Sequence, residues 1–258
     1  MTAADSYFVR TGDTTFLPTV HTGGAWNTAE QHISPLIGLL AHAVDRGAPS
    51  DKVVSRVSVD ILGVIGMAEF EVAVRVLRPG RTVELVEATA SAAGRSVAVA
   101  RVWRLSTSDT AAVAGGAGPA LPPPHDLPPH PITELWPGGY IEGVDLRVVS
   151  GPEPGRVVAW LRTPTALVRG ERVSPVARFL GLVDTANGIA VREHPAKWAF
   201  PNLDLTVHLF RQPEGEWVGF DTSVVFGATG QGLTSTTLHD LRGPVGRAEQ
   251  VLTVRPLA

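Results

Sequence analysis

Two kinds of hydrophobic spacing succeed each other along this chain, and they do so twice. Leu36, Leu40, Ala43 and Val44 recur at helical spacing, which puts them on one side of an α-helix over residues 33–47. Ser34 suits the N-cap, Pro35 the first turn and Gly47 the stop. Residues 174–188 repeat the arrangement: Ser174 and Pro175 start it, Val176, Leu180 and Val183 carry the stripe, and Gly188 suits the stop. An aspartate falls near the end of each stripe, Asp45 and Asp184. After each helix the period drops to two. Runs rich in Val and Ile cover 53–65, 68–80, 81–94 and 95–106, then 202–215, 216–230, 231–243 and 246–256. Turn residues separate them. With the halves laid over each other, "SVDIL" at 58–62 stands opposite "NLDLT" at 202–206.

The run at 199–211 shows the alternation most clearly. Leu203, Leu205, Val207 and Leu209 point one way, and Asp204, Thr206 and His208 the other. A polar face on an antiparallel strand needs no function, because such sheets commonly show one side to water. Between the two halves, residues 107–135 hold seven prolines from Pro119 to Pro131. Proline fixes φ and removes a donor, so this segment is neither a core helix nor a central strand. The expected organisation is an N-terminal unit (1–106), a Pro/Gly/Ala-rich linker (107–135) and a C-terminal unit (136–258). One helix followed by consecutive antiparallel strands is an α+β unit. Two such units in tandem, each with its helix wrapped by its sheet, make a double hotdog.

Composition narrows the chemistry. A chain of 258 residues with 44% hydrophobic content can bury a substantial core. A net charge of −3 gives no electrostatic case for nucleic acid or an anionic membrane surface. The absence of cysteine excludes disulfides, thiolate-bound zinc and a thiol nucleophile. The first residues lack a basic region followed by an apolar one, and the stretch around 35–44 is too short to span a bilayer, so a cytoplasmic location is expected. No G-x-S-x-G elbow, Walker loop or dinucleotide-binding glycine pattern is present.

The second half, with Leu203-Asp204, Leu209-Phe210-Arg211, Trp217 and Gln250 ahead of Val251-Leu252 and Arg255, resembles the C-terminal half of the type II acyl-CoA thioesterases, which are tandem double hotdogs. The first half, through "HTGGAWNTAEQHISPLIGLLAHAV", is similar to thioesterase-like proteins of the same superfamily. The resemblance implies hydrolysis of an acyl thioester, on CoA or on a carrier protein, with no metal or other cofactor. It implies a water held by an Asp, a Thr and a Gln. Asp204 falls on the Asp and Gln250 on the Gln. The Thr position falls on Val225, which has no hydroxyl, and Ser223 lies two residues earlier on the same strand face.

The residues give these assignments uneven support. Gln250 is in phase with Leu252 and Val254, so its amide is expected inside, where an unpaired polar group costs roughly 1–3 kcal/mol. Asp204 sits on the polar face. His32 precedes the first helix, where a substrate carbonyl could sit, and first-turn N–H groups are free to stabilise an oxyanion. Two alternatives stand beside hydrolysis: an acyl-binding protein without turnover, motivated by Val225, and a hotdog dehydratase or hydratase, which needs an Asp–His pair. A homo-oligomer is compatible with the sequence.

Overall fold

The structure is a computed structural model and describes residues 5–257. β1 (Ser6–Arg10) and β2 (Thr15–Pro18) form a hairpin ahead of α1 (Ile33–Gly47). Four strands follow: β3 (Val53–Ile61), β4 (Phe70–Arg78), β5 (Val83–Ala92) and β6 (Arg95–Leu105). No strand forms in residues 107–135. Then come α2 (Gly139–Glu142), β7 (Asp145–Glu153), β8 (Arg156–Arg162), β9 (Ala166–Val168), α3 (Pro175–Val183) and α4 (Ala186–Ile189). The chain ends with β10 (Trp198–Ala199), β11 (Asp204–Leu209), β12 (Val218–Phe226), β13 (Gln231–Asp240), β14 (Gly243–Thr253) and β15 (Arg255–Pro256).

Thirteen strands make one sheet, in the order β7-β8-β12-β13-β14-β11-β3-β6-β5-β4-β2-β1-β9. The halves meet at two seams: the parallel pair β1–β9 and the antiparallel pair β11–β3, where Asp204 faces Asp60. These are the two aspartates that the sequence comparison of the halves laid over each other. Alternation along the strands fills the interior: Leu205, Val207 and Leu209 are buried, as are Val57 and Val59 opposite.

The two helices pack against each other inside. Ser174 Oγ donates to Asp45 Oδ2 at 2.7 Å at one end of the crossing. Near the middle, a Cβ on Gly38 would stand 2.8 Å from Ala177 O and 2.9 Å from Gly181 Cα. Only a residue without a side chain lets the backbones come this close. Leu36, Ile37, Leu40 and Val44 are fully buried against the sheet.

Three local expectations change. The N-cap of α1 is His32, not Ser34: Nδ1 of His32 accepts the Ser34 N–H at 3.1 Å. The second helix does not run unbroken to Gly188; α3 ends at Val183 because Thr185 turns back on Leu182 O through both its N–H and its hydroxyl. Strands β1, β2 and β7–β9 lie outside the runs read from the sequence. "DLRVVSGPEPGRVVAWLR" at 145–162 carries a turn signal between two β-rich runs that marks the β7–β8 hairpin.

Residues 107–135 run along the outside of the C-terminal strands. Trp160 Nε1 donates to Pro122 O at 2.7 Å, Arg147 donates to Pro124 O and Leu127 O, and His130 N–H donates to Leu146 O on β7. Edge strand β7 is thereby covered. Among the described residues, no helix is long and apolar enough to cross a membrane.

Candidate active site

The break after α3 exposes one carboxylate to a cavity. Asp184 is the residue at which the helix ends, and it is 3% exposed. Its Oδ1 accepts two amide hydrogen bonds, from Asn202 Nδ2 at 2.7 Å and Gln250 Nε2 at 2.9 Å. Oδ2 takes no hydrogen bond among the described residues. Burial pushes the Asp184 carboxyl up to about 7; the charge of Asp204 adds to this and the two amide donors oppose it.

Each partner is placed by its own element. Gln250 lies on β14, 1% exposed, on the inward face with Ala248 and Leu252. Asn202 sits just before β11, and its amide also donates to Asp204 O at 3.0 Å, which fixes the turn into the strand. Tyr140, on α2, touches the next residue: its hydroxyl lies 2.6 Å from Thr185 Oγ1. The Thr185 hydroxyl already donates to Leu182 O, so Tyr140 is the donor.

Asp184 opens on a cavity of about 350 Å³ between the start of α1 and the end of α3. Trp26, Ile33, Ile61, Leu62, Val64, Ile65, Ile132, Trp136, Ile141 and Leu203 give it mainly apolar walls, and His32 lies at one side. The His32 ring stacks on Tyr140 with centroids 4.1 Å apart. Burial pulls His32 down to about 3, so its ring is neutral. Among the first-turn N–H groups of α1, Ser34 serves His32 and Pro35 has none, which leaves Ile33 N–H beside the cavity.

The residues named from the sequence fall in different places. Gln250 is inside and bonded to Asp184, and His32 lines the cavity. Asp204 and Gln250 do not hydrogen-bond each other: Asp204 Oδ1 accepts from Val251 N–H at 2.7 Å, whereas Gln250 Nε2 donates to Asp184. Val225 and Ser223 point outward as well, because β12 turns Val218, Phe220, Thr222 and Val224 inward. Val225 is 61% exposed, so a hydroxyl there would not reach Asp184. The polar group that joins the acid and Gln250 is Asn202. Asp184 and Asn202 had only faint sequence signals: an Asp at the end of an apolar stripe, and an Asn two residues before the strand Asp.

A helix pair wrapped by one long, mainly antiparallel sheet is a hotdog fold. The chain belongs to the acyl-CoA thioesterase family: residues 22–105 match the acyl-CoA thioesterase N-terminal domain, and residues 124–254 match the C-terminal domain. A hot dog fold protein of unknown function from Alicyclobacillus acidocaldarius superposes with a TM-score of 0.76 at 14% identity, over 96% of each chain. The acyl-CoA thioesterase II TesB2 of Mycobacterium marinum gives a TM-score of 0.69 at 16% identity, over 97% of this chain and 95% of that one. A tesB protein of Mycobacterium avium subspecies paratuberculosis gives 0.69 at 18% identity, over 96% of each. A search of curated proteins returned no match.

Proposed function

We propose that this protein hydrolyses an acyl-CoA thioester at the Asp184 cavity, and that its two halves are hotdog units in tandem joined by residues 107–135. The observation that carries the reading is the state of Asp184. It is a buried carboxylate with one oxygen pinned by two amides, the other without a partner among the described residues, and an apolar cavity beside it. A carboxyl that ionises near neutrality is a competent general base.

Asp184 Oδ2 takes a proton from a water as the water oxygen bonds to the thioester carbonyl carbon. The carbonyl π pair moves to oxygen, and the oxyanion is met by Ile33 N–H at the positive end of α1. When the intermediate collapses, the C–S bond breaks and the proton held by Asp184 passes to the departing sulfur. The products are a carboxylic acid and a thiol. Asn202 and Gln250 keep Asp184 in one rotamer, so that the base does not reorganise during the step. The apolar walls suit an acyl chain.

Two rivals lose ground on specific observations. The acyl-binding reading rested on Val225, which lies on the other side of the sheet. Dehydratase chemistry needs a histidine that accepts a proton, and His32 is held well below the basicity of an ordinary imidazole. The test is thiol release across acyl-CoAs of graded chain length and an acyl-carrier thioester. Asp184→Asn should slow turnover by about 10²–10⁴-fold. Turnover unchanged in that variant would remove Asp184 from the mechanism, and no turnover on any thioester would remove the hydrolase reading.

A further inference from the structure

We infer that His32 is a second hydrogen-bond donor to the substrate carbonyl oxygen, acting through a neutral Nε2–H; this rests on the hydrolase reading of the same cavity.

The tautomer follows from geometry. Nδ1 accepts the Ser34 N–H at 3.1 Å, so the lone pair is on Nδ1. A neutral imidazole then carries its proton on Nε2. Nε2 takes no partner among the described residues, and His32 lines the cavity that Asp184 also lines. The ring cannot swing away. Tyr140 stacks on one of its faces, and the backbone beneath it is closed in: His32 N–H donates to Thr22 O at 2.7 Å, and a Cβ on Gly24 would lie 2.6 Å from His32 N.

The chemistry asks for this kind of donor. A carbonyl becoming an oxyanion is stabilised by fixed dipoles that need no reorganisation when charge develops. A neutral N–H gives that without surrendering its proton to the oxyanion, and a ring that resists protonation stays neutral throughout the working pH range. The placement divides the labour. Asp184 approaches from the end of α3 and delivers the water, and His32 and Ile33 N–H approach from the start of α1 and hold the oxygen. Tyr140 ties the two sides together, since it stacks on His32 and hydrogen-bonds Thr185, the neighbour of Asp184.

His32 has two jobs, helix cap and carbonyl donor, and two substitutions separate them. In His32→Asn the side-chain oxygen stands near the place of Nδ1 and keeps the cap, but no donor reaches the place of Nε2. In His32→Gln the amide nitrogen reaches the place of Nε2, and the cap is lost. The expected result is that His32→Asn melts close to wild type yet loses about 10²–10³-fold in kcat, with KM changed far less. His32→Gln should melt lower but keep most of the rate. The midpoint of the pH–rate profile should stay at that of Asp184 in both. A His32→Asn variant with wild-type kcat would show that His32 is only a cap, and a profile that loses a titrating group in either variant would show that His32 is a base. A readout independent of turnover uses a ketone analogue, in which CH₂ replaces the thioester sulfur and the carbonyl carbon is ¹³C. Its carbonyl resonance should move downfield on binding to wild type and to His32→Gln, and clearly less far on binding to His32→Asn, which keeps only the Ile33 N–H donor. If wild type hydrolyses nothing but this difference appears, the hydrolase reading fails and the donor stands. An analogue that fails to bind, or that shifts equally in wild type and His32→Asn, overturns the donor.

Discussion

Two aspartates close in space carry opposite assignments, and the pH dependence of the protein separates them. If Asp184 is the base, it must be ionised, so thiol release should rise with pH to half its plateau near 7 and level off above. Asp204→Asn keeps an acceptor for Val251 N–H but removes a charge that raises the Asp184 carboxyl. Its expected effect is a shift of that midpoint to lower pH by less than about one unit, with the plateau rate kept; a fall of about 10²-fold or more would restore Asp204 as the base. Stability should move with the same group. Unfolded, this carboxyl ionises near 3.9; folded, it ionises near 7. Between those values the folded chain holds the extra proton, so stability falls as pH rises through the window and is level above it. Three units amount to about 4 kcal/mol as an upper figure. Asp184→Asn has no such loss, and Asn202 and Gln250 can still donate to its carbonyl oxygen. Calorimetry at pH 8 should therefore show the slow variant to be the more stable protein. Nothing in the spacing of the sequence marks Asp184 over Asp204. The first ends an apolar stripe like any last-turn residue, and its partner Gln250 is 66 positions away. The second stands in a clear alternation that draws the eye to it.

At the scale of elements, the helix crossing sets the width of the site. His32 is at the start of α1 and Asp184 at the end of α3, and the gap between these helices is held by Gly38 against Ala177 O and Gly181 Cα. In an exposed helix, replacing glycine by alanine gains about 0.5–1 kcal/mol. Here the new methyl would press on backbone atoms, which cannot rotate aside, and overpacking costs typically about 1–3 kcal/mol. Gly38→Ala should lower the melting temperature and reduce kcat together, with the pH midpoint unmoved; a variant that is stabilised and fully active would show that the crossing has slack. The helices were legible from the repeated Ser-Pro start and the apolar stripe, and β3–β6 and β11–β14 from their β-rich runs. The crossing distance was not, since no local pattern reports which glycine of one helix meets which backbone of another. The cap was misassigned for a similar reason. Serine is the common N-cap, and only the folded backbone shows the imidazole of His32 already in that place.

Across the whole molecule, if the halves are tandem units as proposed, only one of them carries the acid and the amide. Superposing Ser34 on Ser174 puts Val44 where Asp184 stands, and superposing Asp60 on Asp204 puts Ala98 where Gln250 stands. A second, larger cavity of about 720 Å³ lies near the start of α3, with Arg172, Val173, Pro175 and Arg178 in its walls. It has neither the buried acid nor the amide in the corresponding places. One hydrolytic site per chain is expected: titration with a tight ketone analogue should abolish thiol release at one equivalent, and Asp184→Asn should leave no second phase of turnover.

The seams also decide what a cut chain would do. Residues 107–119 are exposed throughout, whereas the halves are joined by the β3–β11 ladder, by the parallel pairing of β1 with β9 and by the contact of α1 with α3. A protease that nicks this stretch severs a tether and not a structural element. The two pieces should migrate as one particle under native conditions, separate only in denaturant, and keep releasing thiol while together. Expressed from two separate reading frames, they should find each other and complement, because the β3–β11 and β1–β9 pairings and the α1–α3 contact all cross between them. The covalent bond between the halves would then serve to raise their effective concentration during folding, and the finished protein would be, in energetic terms, a heterodimer that happens to be written on one chain.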